Sequence, residues 1–263
     1  MNRRRFLKIL AGATAWPWIK SLAVPRSVLG QGLEVDDADR SPENFVFAQL
    51  QYRGGSWDPH PLAYPTLLQE VMDRTSVEAD LQHKILRPGD PQIFSYPFLY
   101  LAGAEAFEPF SQEERTLLRR FLESGGFLLA DDAAGVAESG FDASFREEMR
   151  NLFPQIDLER LSSNHTVFRT FYLIKQVAGR RIVRPYLEGI TIGDVTPVIY
   201  ARNDLGGAWE RDLAGHWLYP CEPGGEPQRR EAFKLGVNIV LYTLTATYKD
   251  DDIHTPFIRR RVG

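Results

Sequence analysis

Residues 96–130 constrain the fold more than any other part of the chain. Two short, continuous apolar runs, residues 96–102 and 127–130, are typical of strands buried on both faces. Between them, Ser111 and Glu114 have the spacing of a capping box. An apolar helical stripe follows, made of Leu117, Leu118, Phe121 and Leu122. A strand, a helix and a strand within ~35 residues form a βαβ unit, so the sheet is at least partly parallel.

Weaker patterns extend this α/β organisation along the chain. Residues 45–50 predict a strand and residues 62–73 a helix. Asp142 is expected to cap a further helix. Gly193-Asp194, between two alternating apolar runs, predicts a β-hairpin, and a last helix is expected from about residue 228 to residue 245.

Composition excludes several classes of protein and of site. The chain has 263 residues, 43% of them hydrophobic and 25% charged, which excludes disordered and collagen-like proteins. A single core can form at this length, so one domain is as reasonable as two. Cys221 is the only cysteine, which excludes an internal disulfide framework and a cysteine-based zinc cluster. Its Pro/Gly-rich loop offers neither a positioning elbow nor a base, so we expect no thiol chemistry.

The charges are divided unevenly along the chain. Residues 1–30 carry six basic side chains and no acidic one. From Gln31 onward, 25 basic residues face 35 acidic ones. Phosphate backbones would repel a body with this excess of acid, so we expect no nucleic-acid partner.

The basic start of the chain predicts an export signal. Arg3, Arg4, Phe6, Leu7 and Lys8 fit the register of the twin-arginine consensus. The apolar run after them is far shorter than the ~20 residues of a spanning helix. A basic amphipathic helix on a membrane surface is the alternative. Small residues at positions 23 and 30 make signal-peptide cleavage after either of them reasonable. The alternative is that the segment is not cleaved and remains as an N-terminal membrane anchor.

We therefore divide the chain into four segments. Residues 1–30 are the twin-arginine signal peptide, and residues 31–43 are a polar, acidic linker. Residues 44–247 form the α/β domain, and residues 248–263 are a charged C-terminal tail. No segment of the mature chain is apolar enough to span a bilayer, so we expect the protein in the periplasm.

Two predicted strands end next to carboxylates. Asp131 and Asp132 follow the run 127–130, and Glu105 follows the run 96–102. Ligands of open α/β sheets gather beyond the carboxyl ends of the parallel strands, where acidic side chains can bind a metal or hold a substrate hydroxyl. The alternative is that the two aspartates only cap the following turn.

Other candidates lie in loops. His165 is in a polar turn, where a structurally bonded histidine is the favoured interpretation and a catalytic role the alternative. Two Gly-rich loops carry acidic and aromatic residues that suit a pocket. Their candidates for ligand binding or catalysis are Trp57 and Asp58 in the first loop, and Asn203, Asp204 and Trp209 in the second. Neither loop matches a phosphate-binding pattern, and no histidine pair has zinc-ligand spacing.

Seven stretches in the same order resemble the bacterial family called domain of unknown function 4159. They are 47–57, 96–100, 125–132, 145–154, 165–168, 203–209 and 236–242. The resemblance implies a three-layer sandwich with a mainly parallel, flavodoxin-like sheet of the class I glutamine amidotransferase type, here with an added β-hairpin. Active members of that superfamily place a cysteine at a strand-to-helix elbow. This chain has Asp131-Asp132 at the comparable strand end, which argues against amidotransferase chemistry.

Two functions remain open at the level of sequence. The favoured one is a periplasmic, non-catalytic module that binds a ligand or a partner; the resemblance implies a membrane-associated protein as that partner. The alternative is a metal-assisted or carboxylate-based hydrolase that uses Asp131, Asp132, His165 and Asp204. The sequence requires no cofactor and leaves room for a divalent metal.

Overall fold

The computed structural model describes residues 44–246, which form an α/β fold of seven strands and five α-helices. The strands are β1 (Phe45–Leu50), β2 (Ala79–Leu86), β3 (Phe98–Gly103), β4 (Phe127–Asp132), β5 (Glu159–Arg160), β6 (Glu188–Ile192) and β7 (Val195–Ala201). The helices are α1 (Ala63–Arg74), α2 (Gln112–Glu123), α3 (Gly140–Leu152), α4 (Leu205–Trp209) and α5 (Gly225–Ala246). The predicted signal peptide, linker and tail lie outside the described residues.

All seven strands belong to one sheet, in the order β2-β1-β3-β4-β7-β6-β5. Neighbouring strands from β2 to β7 are parallel, whereas β6 and β5 are added antiparallel. The predicted βαβ unit is confirmed by the parallel pairing of β3 with β4 on either side of α2. The hairpin predicted at Gly193-Asp194 is confirmed as β6 and β7.

Helices cover both faces of this sheet. The side chains of Phe127 and Leu129 in β4 pack in a core with α1, α4 and α5, whereas Leu128 and Ala130 pack in a second core with α2 and α3. This alternation follows from the two-residue period of a strand. Burying a large aliphatic or aromatic side chain contributes about 1.5–3 kcal/mol, so the two cores hold the helices on the sheet.

One predicted helix start is confirmed, and two others differ from the sequence prediction. The capping box of α2 is confirmed, with the Ser111 and Glu114 side chains each accepting a hydrogen bond from the other residue's backbone amide. Helix α3, in contrast, is capped by Ser139 and not by Asp142, because the Ser139 hydroxyl accepts from the Asp142 amide. Asp142 lies in the first turn, where its charge favours the helix dipole. Helix α5 begins at Gly225, before the expected residue 228.

The sequence analysis missed β2, α4 and the two-residue strand β5. Strand β2 lies at the sheet edge, and most of its residues are partly or fully exposed, so it lacks the continuous apolar pattern of a buried strand. Helix α4 has only five residues, too few for a helical period to show. Within residues 44–246, no helix is long and apolar enough to cross a membrane.

Candidate functional site

The carboxyl ends of β1, β3, β4 and β7 lie along one edge of the sheet, because these strands are parallel. The strand after β1 in the chain, β2, lies on one side of β1, whereas β3 lies on the other. In open α/β sheets, ligands bind beyond the strand ends at such a change of direction. Polar groups in the loops at this edge, which we call the carboxyl edge, are therefore the candidates for a functional site.

Asp131 connects the end of β4 to the start of α4. Its side chain is fully buried and accepts hydrogen bonds from the amides of Leu205, at 2.9 Å, and Gly206, at 2.8 Å. The Tyr100 hydroxyl donates a third, at 2.8 Å. Burial, together with the nearby charge of Asp204, raises the pKa of Asp131 to about 6, although the three hydrogen bonds oppose this shift.

Asp132 points to the opposite face of the sheet. Its carboxylate accepts from the Ser139 hydroxyl at 2.7 Å and from the Ala134 amide at 3.0 Å. Burial raises its pKa. Because consecutive side chains of a strand alternate between faces, Asp131 and Asp132 do not form a joint carboxylate site. Asp132 holds the loop between β4 and α3.

Asp204 and Glu210 enclose His60, which lies in the loop after β1. The Nδ1 atom of His60 is 2.8 Å from Glu210 Oε2. Its Nε2 atom is 2.8 Å from Asp204 Oδ1, although the angle there falls short of a hydrogen bond. Asp204 also accepts from Arg180 Nε and, at 2.9 Å, from the Gly207 amide. The network joins three loops of the carboxyl edge.

The His60 imidazole carries a positive charge in this network. Its side chain is only 7% exposed. Burial by itself lowers the pKa of His60, but the carboxylates of Asp204 and Glu210, with a smaller contribution from Asp131, outweigh it and raise the pKa from 6.5 to about 9. A buried, protonated imidazole between two carboxylates has no free lone pair, so His60 is not available as a general base.

Asn203 and Trp209 are both fully buried. The Asn203 side-chain oxygen accepts from the amides of Val183 and Arg184, each at 2.8 Å, and its nitrogen donates to the carbonyls of Val177 and Arg184. Trp209 lies in the core, and its Nε1 donates to the Ala232 carbonyl at 3.1 Å. Neither side chain offers a surface to a ligand, so the structure does not support them as pocket residues.

His165 lies away from the other catalytic candidates. Its Nε2 is 3.0 Å from the Thr196 hydroxyl near the start of β7, and its Nδ1 accepts from the Val167 amide. The ladder places Asp131 opposite Ala201 at the other end of β7. At about 3.3 Å per residue, roughly 16 Å of strand separates the two positions. Of the four candidates, only Asp131 and Asp204 are brought together.

The remaining ligand-binding candidates lie in the loops after β1 and β3. Glu105 is exposed. Trp57 is partly buried and packs against the core beneath α2 and α3. Asp58 is half-buried, and burial raises its pKa. Asp58 accepts a hydrogen bond from the Gln49 amide at 3.3 Å, and its charge interacts with those of His83, Glu210 and His60.

Gln49 orients His83, a contact that the sequence analysis missed. The Gln49 amide nitrogen lies 2.8 Å from the Trp57 carbonyl and 3.3 Å from Asp58 Oδ1. Since both neighbours are acceptors, the amide oxygen must face His83 Nε2, at 2.8 Å. His83 therefore has its proton on Nε2, and within the described part of the chain its Nδ1 makes no hydrogen bond. No spacing rule signals this contact, since 34 residues separate the two side chains.

The thiol and metal alternatives gain no support from these positions. Cys221 is buried, and burial raises the pKa of its thiol, which makes it a poor nucleophile. Across residues 44–246, no three histidine, cysteine, aspartate or glutamate side chains are grouped so that they could hold a metal ion.

Comparison with protein families gives a match over most of the described chain. The family model described as Domain of unknown function (DUF4159) matches residues 46–244. This range includes all strands of the sheet except the first residue of β1. A search of curated proteins gives no match.

Proposed function

The chain belongs to the family Domain of unknown function (DUF4159), and we propose that it is a non-catalytic module that binds a ligand or a partner. One observation carries this proposal: the buried polar groups of the carboxyl edge have internal partners. Asp131 holds the first amides of α4, and Asp204 holds His60 and Arg180. Catalysis needs groups that face a substrate, whereas these groups connect loops.

We further propose that the fold is flavodoxin-like and of the class I glutamine amidotransferase type. The order of the parallel strands, β2-β1-β3-β4-β7, agrees with the 2-1-3-4-5 order of flavodoxin-like sheets. Active members of the amidotransferase-like superfamily have a cysteine at a strand-to-helix elbow. Here β4 ends in Asp131-Asp132, and Cys221 lies in the loop before α5, which supports a descendant without thiol chemistry.

The same proposal places the protein in the periplasm after export by the twin-arginine route. The basis is the register of Arg3, Arg4, Phe6, Leu7 and Lys8. The test replaces Arg3 and Arg4 together by Lys and follows the protein by cell fractionation. Export should be lost, whereas Arg5→Lys, the matched control, should be exported normally. Export of the Arg3→Lys/Arg4→Lys protein at the wild-type level would exclude the twin-arginine route.

A turnover assay tests the absence of catalysis. The purified protein is incubated with chromogenic esters, amides and phosphomonoesters, and product release is compared with that from the Asp204→Asn variant. The proposal predicts no release above buffer for either protein. Turnover by the wild type that Asp204→Asn abolishes would contradict it and would favour the carboxylate-based hydrolase.

One observation favours a second candidate function, an acid–base enzyme centred on His83. This half-buried histidine has a fixed tautomer, a free Nδ1 and the Asp58 carboxylate nearby. Burial lowers its pKa, although the charge of Asp58 opposes this shift. A neutral imidazole with a free lone pair can act as a general base. In the same turnover assay, His83→Gln would then abolish product release, and His216→Gln, a change at an exposed histidine, would not.

A further inference from the structure

A groove on the helical surface of the protein lies between α1 and the first half of α5. Its volume is about 520 Å³, within the range of ~300–1,000 Å³ typical of small-molecule sites. Tyr172 and the short segment from Arg211 to Trp217 complete its walls. None of the residues discussed above for the carboxyl edge lines this groove, so it is a separate site.

The groove has the opposite charge balance to the chain as a whole. Five basic residues line it against three acidic ones, whereas acidic residues outnumber basic ones in the whole sequence, 35 against 31. Two of the basic residues have carboxylate partners in the groove itself. Arg74 pairs with Glu70, and Arg229 pairs with Glu226, each at 2.9 Å.

Arg211 and Arg230 have no such partner. Both are exposed, and neither makes an ion pair with any residue between 44 and 246. An exposed guanidinium can form two parallel hydrogen bonds to a carboxylate or a phosphate. The groove therefore presents two free cationic groups of the type that recognises such anions.

Trp217 holds Arg211 in place. The Arg211 guanidinium carbon lies 3.7 Å from the centre of the Trp217 ring, and that of Arg229 lies 4.1 Å from it. Two guanidinium groups cannot stack on one face at these distances, so they lie on opposite faces. Arg229 is buried and donates to the carbonyls of Ala208 and Tyr219, each at 2.6 Å. The ring thus has a fixed support, and stacking on it orients Arg211 before a ligand arrives.

Aromatic side chains supply the apolar part of the groove. Phe233 packs against Trp217, with ring centres 5.8 Å apart, and Tyr172 lines the groove together with them. We propose that this groove binds a small ligand that carries a carboxylate or phosphate group on an apolar body. Arg211 and Arg230 would donate hydrogen bonds to the anionic group, and Phe233 would pack against the apolar body. The inference names a ligand class for the binding module proposed above and rests on that function.

The test is a titration of the isotope-labelled full chain followed by NMR. Phenyl phosphate and benzoate distinguish the two kinds of anion, inorganic phosphate lacks the apolar body, and benzyl alcohol lacks the charge. Saturable shifts at residues of α1 and α5 are expected with at least one aromatic anion. Both benzyl alcohol and inorganic phosphate should bind about tenfold or more weakly, because each loses one set of contacts.

Matched variants locate the binding. Arg211→Gln and Arg230→Gln should each weaken the aromatic anion about tenfold, since each removes a charge-assisted hydrogen bond. Arg119→Gln is the control, because Arg119 is an exposed arginine of α2, on the other side of the sheet. Both variant positions are exposed, so folding should be preserved, and the amide spectra will report it.

The outcomes separate this inference from the function on which it rests. If no ligand gives saturable shifts, or if the aromatic anion binds the wild type and both variants with equal affinity, the proposal that the groove is a binding site is wrong. Equal binding of benzyl alcohol or of inorganic phosphate overturns the proposed ligand class. Saturable shifts confined to the carboxyl edge would show that the ligand does not bind in the groove, but they would agree with the proposed function as a binding module. Release of phosphate from phenyl phosphate by the protein overturns the non-catalytic function instead.

Discussion

Asp131 and Asp132 are neighbours in β4, yet they bond to opposite sides of the sheet. Asp131 accepts from the first amides of α4, and Asp132 accepts from Ser139, the N-cap of α3. Each carboxylate therefore connects β4 to a different helical layer. A pair that the sequence suggests as one acidic site serves as two separate structural links.

Asp131→Asn should destabilise the protein by about 2–4 kcal/mol. The variant loses the carboxylate that accepts hydrogen bonds from two buried backbone amides, and its side-chain NH2 group would face one of those N–H donors. The free energy of unfolding is measured with urea. Asp157→Asn is the control, because Asp157 is exposed and should change stability by less than about 0.5 kcal/mol. Equal stability of the two variants would show that the Asp131 contacts do not support the fold.

Asn203→Asp should lower the free energy of unfolding by about 3 kcal/mol or more. In the wild type the Asn203 amide nitrogen donates to the carbonyls of Val177 and Arg184, and the variant would place a carboxylate oxygen against these two acceptors. Thermal and urea unfolding measure the effect. Asn164→Asp, at an exposed position, provides the comparison. A small effect at Asn203, similar to that at Asn164, would mean that the loop does not depend on this amide.

The contribution of His60 to stability should depend on pH. Its pKa is raised from 6.5 to about 9 in the folded protein, so the native state binds the proton more tightly than the unfolded chain. The resulting stabilisation is fully present below pH 6.5 and is lost as the pH rises through about 9. A shift of this size corresponds to about 3 kcal/mol.

Urea unfolding of the wild type and of His60→Gln over this pH range checks the prediction. The titratable groups around His60 are Asp204, Glu210, Asp131, Asp58 and Tyr219, and all of them are present in both proteins. The difference in stability between the two should therefore shrink as the pH rises. A difference that stays constant would show that His60 is not charged in the folded protein.

Much of the fold could be predicted from local patterns. The βαβ unit rests on two continuous apolar runs and a capping box between residues 96 and 130, and the hairpin rests on the Gly193-Asp194 turn. Each signal lies within a short stretch of chain. Strand β2 was missed because an edge strand keeps polar and exposed residues.

The candidate site could be predicted only in part, because its contacts join distant residues. The sequence indicates that Asp131 directly follows a strand and that Asp204 lies in a Gly-rich loop. It gives no sign that His60 meets Glu210, which is 150 residues away. Trp209 was expected on a pocket wall, yet it is buried beneath α5, since a large aromatic residue next to glycines fits a core as well as a pocket.

A double-mutant cycle on His60 and Asp204 tests most directly whether the polar groups of the carboxyl edge serve structure. Urea unfolding is measured for the wild type, His60→Gln, Asp204→Asn and the double variant. Asparagine tolerates the left-handed backbone of residue 204, where φ is 57°, so the side-chain contact is what changes. We predict that both single variants are less stable and that the coupling energy is at least about 1 kcal/mol. Catalytic residues are often kept at the expense of stability, so a gain in stability in either single variant would contradict the account.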